Sequence, residues 1–468
     1  MYLSFALTPL LSYNGTDRGV VFMKKTSFFY SVCILAIPVA LQSMLQASFG
    51  VVDQIMIGQL GSVDVTAVGL AGKFTGIFNV MVSAVSAVAG IMISQYMGQK
   101  NRAEVKRSLT VNLILALGVA FIFTVLCAVL PKEIMNLYTE DEAVVDAAGG
   151  YLFITALGFL AAAGSTILST MLRCMEKASL PLYAGIVAAA VNTGLNYVLI
   201  FGKFGFPECG ITGAAVATLI SQAVNFILIF IMYIRYGKVT AAEPDEVRGM
   251  GKFNYKQYLT MLMPILICEF MWSVGENVYA GIYGHLGTDA CAAMTLTNPI
   301  QSLTIGALSG FSQAAGIIIG KRLGDGEFDR AYIASKKLML YGAVGSLIFS
   351  VIIVFIMPYY VKIYNVDENV RQITVQILTA YALVVPFKVL NMIVGGGILR
   401  SGGKTKYIMV IDIIGTWIFG VPLGLLSAFV FCLSIPYVYF ILSLEECVRL
   451  GISLIVLHRR NWMNTLKT

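Results

Sequence analysis

Apolar stretches of membrane-spanning length recur along the whole chain, separated by short polar breaks. Twelve can be traced, near 27–58, 65–97, 107–131, 143–172, 178–202, 212–234, 255–285, 290–320, 337–361, 370–399, 405–430 and 434–458. A helix needs about 20 residues to cross the hydrocarbon of a bilayer. Several of these stretches are longer, which predicts tilt or helix ends projecting into water. The pattern predicts an all-α polytopic membrane protein with twelve transmembrane helices.

The polar breaks alternate in charge. One set holds Lys24, Lys25, Lys100, Arg102, Lys106, Arg107, Arg173 and Lys177, and the Lys and Arg of 235–256, 321–337, 400–406 and 459–467 belong to it too. The other set holds only Lys132, Lys203, Lys362 and Arg371, so the division is 24 against four. Positive residues collect on the cytoplasmic side of membrane proteins, so both termini are expected in the cytoplasm. The alternation also checks the helix count, since one missed span would scramble it downstream. Residues 1–22 fit less well, being apolar at the start but too short to span. Met23 followed by Lys24 and Lys25 reads as a natural start, with 1–22 a leader that need not be native.

Composition agrees. Charged residues make up 12% of the 468 and hydrophobic ones 58%, against about 25% charged in soluble domains. The net charge of +7 follows from the basic loops and gives no reason to expect nucleic acid. His285 and His458 are the only histidines and the eight cysteines are scattered, so zinc hydrolysis and His-based triads have almost nothing to build on. There is no GxxxxGK[ST] phosphate loop, so no ATP site of that kind. A transporter built from this chain draws on an ion gradient or a partner ATPase.

The two halves repeat at an offset of about 226 residues: Pro38 matches Pro264, Gly58 matches Gly284, Gly61 matches Gly287 and Gly98 matches Gly324. MIGQLG answers IYGHLG, and LYTEDEAV at 137–144 answers IYNVDENV at 363–370. One residue later in register, Leu-Arg at 172–173 answers Leu-Arg at 399–400. Six spans per half is an even number, so the halves are parallel repeats. They predict an N-lobe over 23–236, a polar cytoplasmic linker over 237–253 and a C-lobe over 254–468, with a substrate path between the lobes.

Several segments, in order, resemble the MATE family of multidrug and toxic-compound extrusion transporters. They are PVALQSMLQASFGVVDQIMIGQLG, ISQYMGQKNRAEVKRS, MLRCMEKASLP, VNTGLNYVLIFGKFG with GITGAAVAT, ILRSGGKTK and EECVRLGISLIVLHRRNW. The resemblance runs from Lys24 to Lys467. It implies a V-shaped two-lobe transporter of twelve helices. Related flippases of lipid-linked saccharides usually have about fourteen.

A carboxylate at mid-bilayer costs roughly 2.5–3.5 kcal/mol on insertion scales, so each one calls for a reason. Asp53 lies halfway along the first span, where the resemblance implies a coupling aspartate. Asn192, Asn196 and Thr218 fall where family members carry Asn, Asp and Thr beside it; position 196 departs, with Asn for Asp. A proton at Asp53, or Na⁺ completed by the neutral oxygens, are both readings of this set. Plain hydrogen bonding between helices is the structural alternative. In the C-lobe, Glu269 and Glu276 share a face at i and i+7, with Trp272 between them, and the resemblance implies a binding Glu best matched by Glu269. Lys388 and Asp412 sit in the tenth and eleventh spans. A buried lysine needs a counter-charge, so Lys388 is expected to pair with Glu269 or Asp412. Lys73 and Arg449 read as snorkelling residues, and Glu445 and Glu446 as the outer part of the last span.

Together these readings predict a monomeric secondary antiporter of the plasma or inner membrane, not an enzyme. It would use no cofactor and would export amphipathic, often cationic, small molecules against H⁺ or Na⁺. A flippase of lipid-linked saccharides would want a basic cavity. Asp53, Glu269, Glu276 and Asp412 against Lys388 alone point away from one. A carrier of one specific metabolite stays open beside multidrug export.

Overall fold

The computed structural model describes residues 28–237, 253–364 and 366–466. Residues 1–22, the start at Met23 and most of the 237–253 linker lie outside the described residues. Among the described residues there is no strand. The first half comprises α1 (Phe28–Ile57), α2 (Ser62–Gly98), α3 (Arg102–Val129), α4 (Pro131–Asn136), α5 (Glu142–Ala156), α6 (Phe159–Cys174), α7 (Ser179–Phe201) and α8 (Gly210–Gly237). The second comprises α9 (Tyr255–His285), α10 (Thr288–Gly324), α11 (Phe328–Tyr360), α12 (Glu368–Leu399), α13 (Lys406–Val430), α14 (Ile435–Ser443) and α15 (Glu445–His458).

Among the described residues, ten helices are long and apolar enough to cross a membrane, and eleven if α5 and α6, bent by 47°, form one span. The twelfth expected stretch, 434–458, is helical but broken into α14 and α15, each shorter than a crossing. The break falls where apolar sequence gives way to Glu445, Glu446 and Arg449, whose charges carry a local purpose described below.

Local sequence sets the helix ends. Asn101, Asp141 and Asn254 cap α3, α5 and α9, each accepting a backbone N–H through its side-chain oxygen at 3.0–3.1 Å. Such caps satisfy donors that have no partner within the helix. The repeat appears in backbone detail: Gly61 and Gly287 precede α2 and α10 with φ of 124° and 113°, a region closed to residues with a Cβ. Pro38 and Pro264 sit inside α1 and α9, at matching places.

The lobes form a V that closes at the face carrying the basic loops. There α1 and α2 of the first lobe lie along α10 of the second, and α9 lies against α2. The contact is reciprocal. A Cβ at Gly98 would come within 2.0 Å of the Lys321 carbonyl oxygen, and one at Gly324 within 1.9 Å of the Gln95 carbonyl oxygen. Both glycines are needed because backbone meets backbone. Interlobe hydrogen bonds run from Tyr258 to Asn112 (3.0 Å) near this face to Ser309–Ser43 (3.2 Å) at mid-span. Lys321 and Glu176 form an ion pair across the lobes at 2.5 Å.

Residues 461–466 tie this face together. The Gln95 amide donates to the carbonyls of Ser401 (2.6 Å) and Asn464 (3.1 Å), and its oxygen accepts from the Leu466 N–H at 2.8 Å. Gln99 donates to Leu466 at 3.0 Å, and Trp462 is fully buried.

A side chain at position 324 should force the lobes apart at the basic face. With Cys174, a buried residue of the interlobe cavity, as the only cysteine, Gly324→Val should raise its labelling by a charged maleimide severalfold. Labelling equal to that of the parent would show that the contact does not hold this face closed.

Candidate functional site

Three polar centres lie inside the membrane region, one in each lobe and one between them. In the N-lobe, Asn192 and Asn196 are one turn apart on α7, so both amides share a face. That face meets Asp53 on α1. The Asn196 amide donates to Asp53 Oδ1 in a short hydrogen bond and to Asn192 Oδ1 at 3.4 Å. Asn192 in turn reaches Ser221 Oγ at 3.5 Å, and Ser221 donates to the Thr218 carbonyl at 2.9 Å. Tyr151, from α5, lies close to Thr218 and within electrostatic reach of Asp53. Asn196 is 1% exposed, and its Oδ1 is buried without a partner.

Asp53, Asn192 and Asn196 therefore meet, and Thr218 joins them only through its carbonyl, which accepts from Ser221. Tyr151 and Ser221 join them, with no sequence signal beyond being hydroxyls in apolar helices. The arrangement offers one carboxylate with neutral oxygens around it, which suits a single proton or monovalent cation. Among the described residues there is no group of three or more His, Cys, Asp or Glu suited to a metal.

The C-lobe centre differs from the expectation. Glu445, Glu446 and Arg449 are buried, neither peripheral nor snorkelling, because their i, i+1, i+4 spacing on α15 turns all three inward. Arg449 is the hub. Its guanidinium lies 3.3 Å from Glu445, 3.9 Å from Glu446 and 3.9 Å from Asp412, and it donates closely to Thr416 Oγ1. Glu445 accepts from the Tyr279 hydroxyl at 2.5 Å, Glu446 from the Asn391 amide at 2.9 Å, and Asp412 from the Cys268 thiol at 2.7 Å. On α13, Gly415 and Gly420 clear the space: a Cβ there would lie 2.3 Å from Arg449 Cγ and 2.1 Å from Glu445 Oε2. Both glycines fall in a wide-turned, π-helical stretch at Ile414–Gly420, a distortion frequent at functional sites.

Lys388 faces this centre, with Glu446 and Glu276 as the carboxylates that act on it most. Among the described residues neither expected partner forms an ion pair with Lys388: Asp412 pairs with Arg449, and Glu269 is 3.6 Å from Arg400. The reason is axial. Glu269 and Glu276 share a face of α9, but seven residues of rise carry one to the interlobe cavity and the other to the level of Lys388. Trp272, between them, is half-exposed and lines a small cleft with Lys388, Asp412 and Arg449.

The third centre is a cavity of about 480 Å³ between the lobes. Its polar lining includes Ser86, Thr170, Arg173, Glu269, Gln313 and Arg400. Arg173 donates to Gln42 Oε1 and Gln313 Oε1, each at 2.9 Å. Read as loop charges, Arg173 and Arg400 are instead carried into the cavity because α6 and α12 continue to the basic face. The sequence balance of four acids to one base therefore does not describe the space between the lobes.

Arg449 sits among three carboxylates, so its removal should be severe. Breaking a buried pair from one side costs about 3–5 kcal/mol. Arg449→Leu should accordingly lower the unfolding temperature of the detergent-solubilised protein far more than Glu446→Gln. Equal, small shifts for the two variants would remove Arg449 from its place as hub.

The MatE family model matches residues 38–198 and 264–426, which together exceed half of the chain and begin at Pro38 and its repeat counterpart Pro264. A probable multidrug resistance protein NorM of Thermotoga maritima is 27% identical over 416 residues, covering 85% of this chain and 87% of its own length. The multidrug resistance protein MdtK of Yersinia enterocolitica is 24% identical over 408 residues, covering 85% and 87%. In fold, the chain is similar to the outward-facing conformation of a multidrug resistance MATE family transporter of the MOP superfamily. The TM-score is 0.84 over 96% of this chain and 98% of that one, at 17% identity. With a family match in both halves, relatives aligned over most of their length and a shared two-lobe fold, the chain belongs to the MATE family of multi-pass membrane transporters.

Proposed function

We propose that this chain is a secondary antiporter that exports amphipathic small molecules in exchange for H⁺ or Na⁺, with Asp53 as the coupling group. The observation that carries the reading is the Asp53–Asn196 hydrogen bond joining α1 to α7. A proton or cation arriving at Asp53 neutralises the carboxylate to which the Asn196 amide donates and weakens that charge-assisted bond. Loading the site therefore loosens the link between two helices, and α1 is also the helix laid along α10 of the other lobe. An ion bound at Asp53 can in this way bias the lobe contact, which is what coupling requires.

The basic face is cytoplasmic on this reading, by the excess of Lys and Arg in its loops. Residues 23–236 and 254–468 are the two rocking lobes, 237–253 is their linker, and the plasma or inner membrane is the site of action of a monomer. Closure at the basic face corresponds to a state open to the outside. One charge entering at 100 mV releases ~2.3 kcal/mol, enough for roughly a fiftyfold gradient of a neutral solute. The C-lobe centre is a second reservoir: Glu276, Asp412, Glu445 and Glu446 outnumber Lys388 and Arg449, leaving room for protons or cations.

In inverted vesicles under an imposed pH or Na⁺ gradient, uptake of a fluorescent amphipathic dye should follow one gradient and name the ion. Asp53→Asn should abolish that uptake. Asn196→Leu should lower it at least tenfold while the protein still inserts and folds. Gradient-driven uptake at parental rates in Asp53→Asn would remove Asp53 from the coupling role.

A further inference from the structure

We infer that the cavity between the lobes binds an anionic group, and that this transporter accepts amphipathic organic anions of drug size. The inference deepens the efflux reading and rests on it for the step of transport, though not for binding.

Arg173 reaches back 131 residues to Gln42. Arg400 reaches back by the same interval to Glu269. The two arginines are repeat counterparts facing one cavity, and each pairs with a residue on the first helix of its own lobe, Gln42 on α1 and Glu269 on α9, which lie one position apart in the register set by Pro38 and Pro264. The pairs differ in charge: the C-lobe pair is closed by a carboxylate and the N-lobe pair by a neutral amide. Arg173 has a second neutral acceptor in Gln313, and among the described residues no ion pair involves it. The Nε atoms of both arginines are buried and without an acceptor.

Counting the side chains that line the cavity, Arg173 and Arg400 stand against Glu269 alone, a surplus of one positive charge. The neighbouring ion pair of Lys321 with Glu176 is internally balanced and leaves that surplus untouched. A desolvated guanidinium without a counter-ion, as at Arg173, is costly, and guanidinium N–H groups suit carboxylate or sulfonate oxygens. The rest of the wall offers hydroxyls of Ser86, Thr170 and Ser312 beside apolar Ile317 and Met392. At about 480 Å³ the space is that of a drug-sized ligand. Because each lobe supplies one arginine, lobe rocking would separate the pair. Affinity would thus change between the two states, as alternating access demands.

The test compares two dyes of one skeleton, anionic fluorescein and cationic rhodamine 6G, by anisotropy with the purified full-length protein in detergent. Fluorescein should bind, weaken with salt, and lose at least tenfold in affinity in Arg173→Gln and in Arg400→Gln. Arg173→Lys should keep part of the affinity. The decisive variant is Gln42→Glu, which retains an acceptor for Arg173 but supplies the missing counter-charge. It should abolish fluorescein binding with little change in unfolding temperature, and rhodamine 6G should bind it at least as well as the parent. Fluorescein affinity unchanged in Gln42→Glu, or equal salt-insensitive binding of both dyes, would overturn the inference. Displacement of fluorescein by octanoate supports it, and displacement by a polyprenyl phosphate but not octanoate overturns it in favour of a lipid-linked head group. Failure of the efflux reading is separate: it would appear as no gradient-dependent uptake of any dye, with the Gln42→Glu effect on binding intact.

Discussion

A charge held inside the hydrocarbon has to find its partner within the protein, because lipid tails offer none. Much of what is distinctive in this molecule follows from that constraint. Arg449 gathers three carboxylates from two helices, and Asp53 is met by an amide from α7. Arg173 rests on two glutamines. In each case a polar side chain ties together helices that apolar contact alone would leave free to slide. The polar centres are thus at once the stitching of each lobe and the places where an ion or solute can intervene.

The second organising element is the repeat. Duplicated six-helix units meeting face to face produce paired contacts, and the glycines at 98 and 324 show how closely the pairing is kept. Where the halves diverge, function is the simplest physical account. The N-lobe has a compact centre with one carboxylate, whereas the C-lobe has a charge network on α15 and wide-turned stretches in α12 and α13. Arg173 in one half is met by a glutamine, and Arg400 in the other by a glutamate.

Much of the fold was legible in the sequence, because a bilayer imposes length and hydropathy on each span and charge on each loop. The clustering of Asp53, Asn192 and Asn196 was legible too: they are conspicuous in apolar helices, and i, i+4 spacing places both asparagines on one face. The C-lobe was not. Which carboxylate faces Lys388 depends on its level along α9 relative to α12 and on the wide turns of α12 and α13, neither of which is encoded locally. Glu445, Glu446 and Arg449 were misread because charges near a span end usually reach water. Three charges within five residues of an otherwise apolar run were the available warning. Arg173 and Arg400 were hidden by the loop-charge rule itself, which accounts for every basic residue near a helix end and so looks no further.

The clasp at Gln95 carries a consequence for how the protein comes into being. Gln95 and Leu466 are 371 residues apart in sequence, yet one amide side chain holds Asn464 and Leu466 together with Ser401. Each lobe can insert and collapse as it leaves the ribosome, since its own contacts are comparatively local. The basic face cannot be finished until the segment around Trp462 has been made. Until then the nascent protein has both lobes but no clasp across that face, so its permeability barrier would be completed late in biosynthesis.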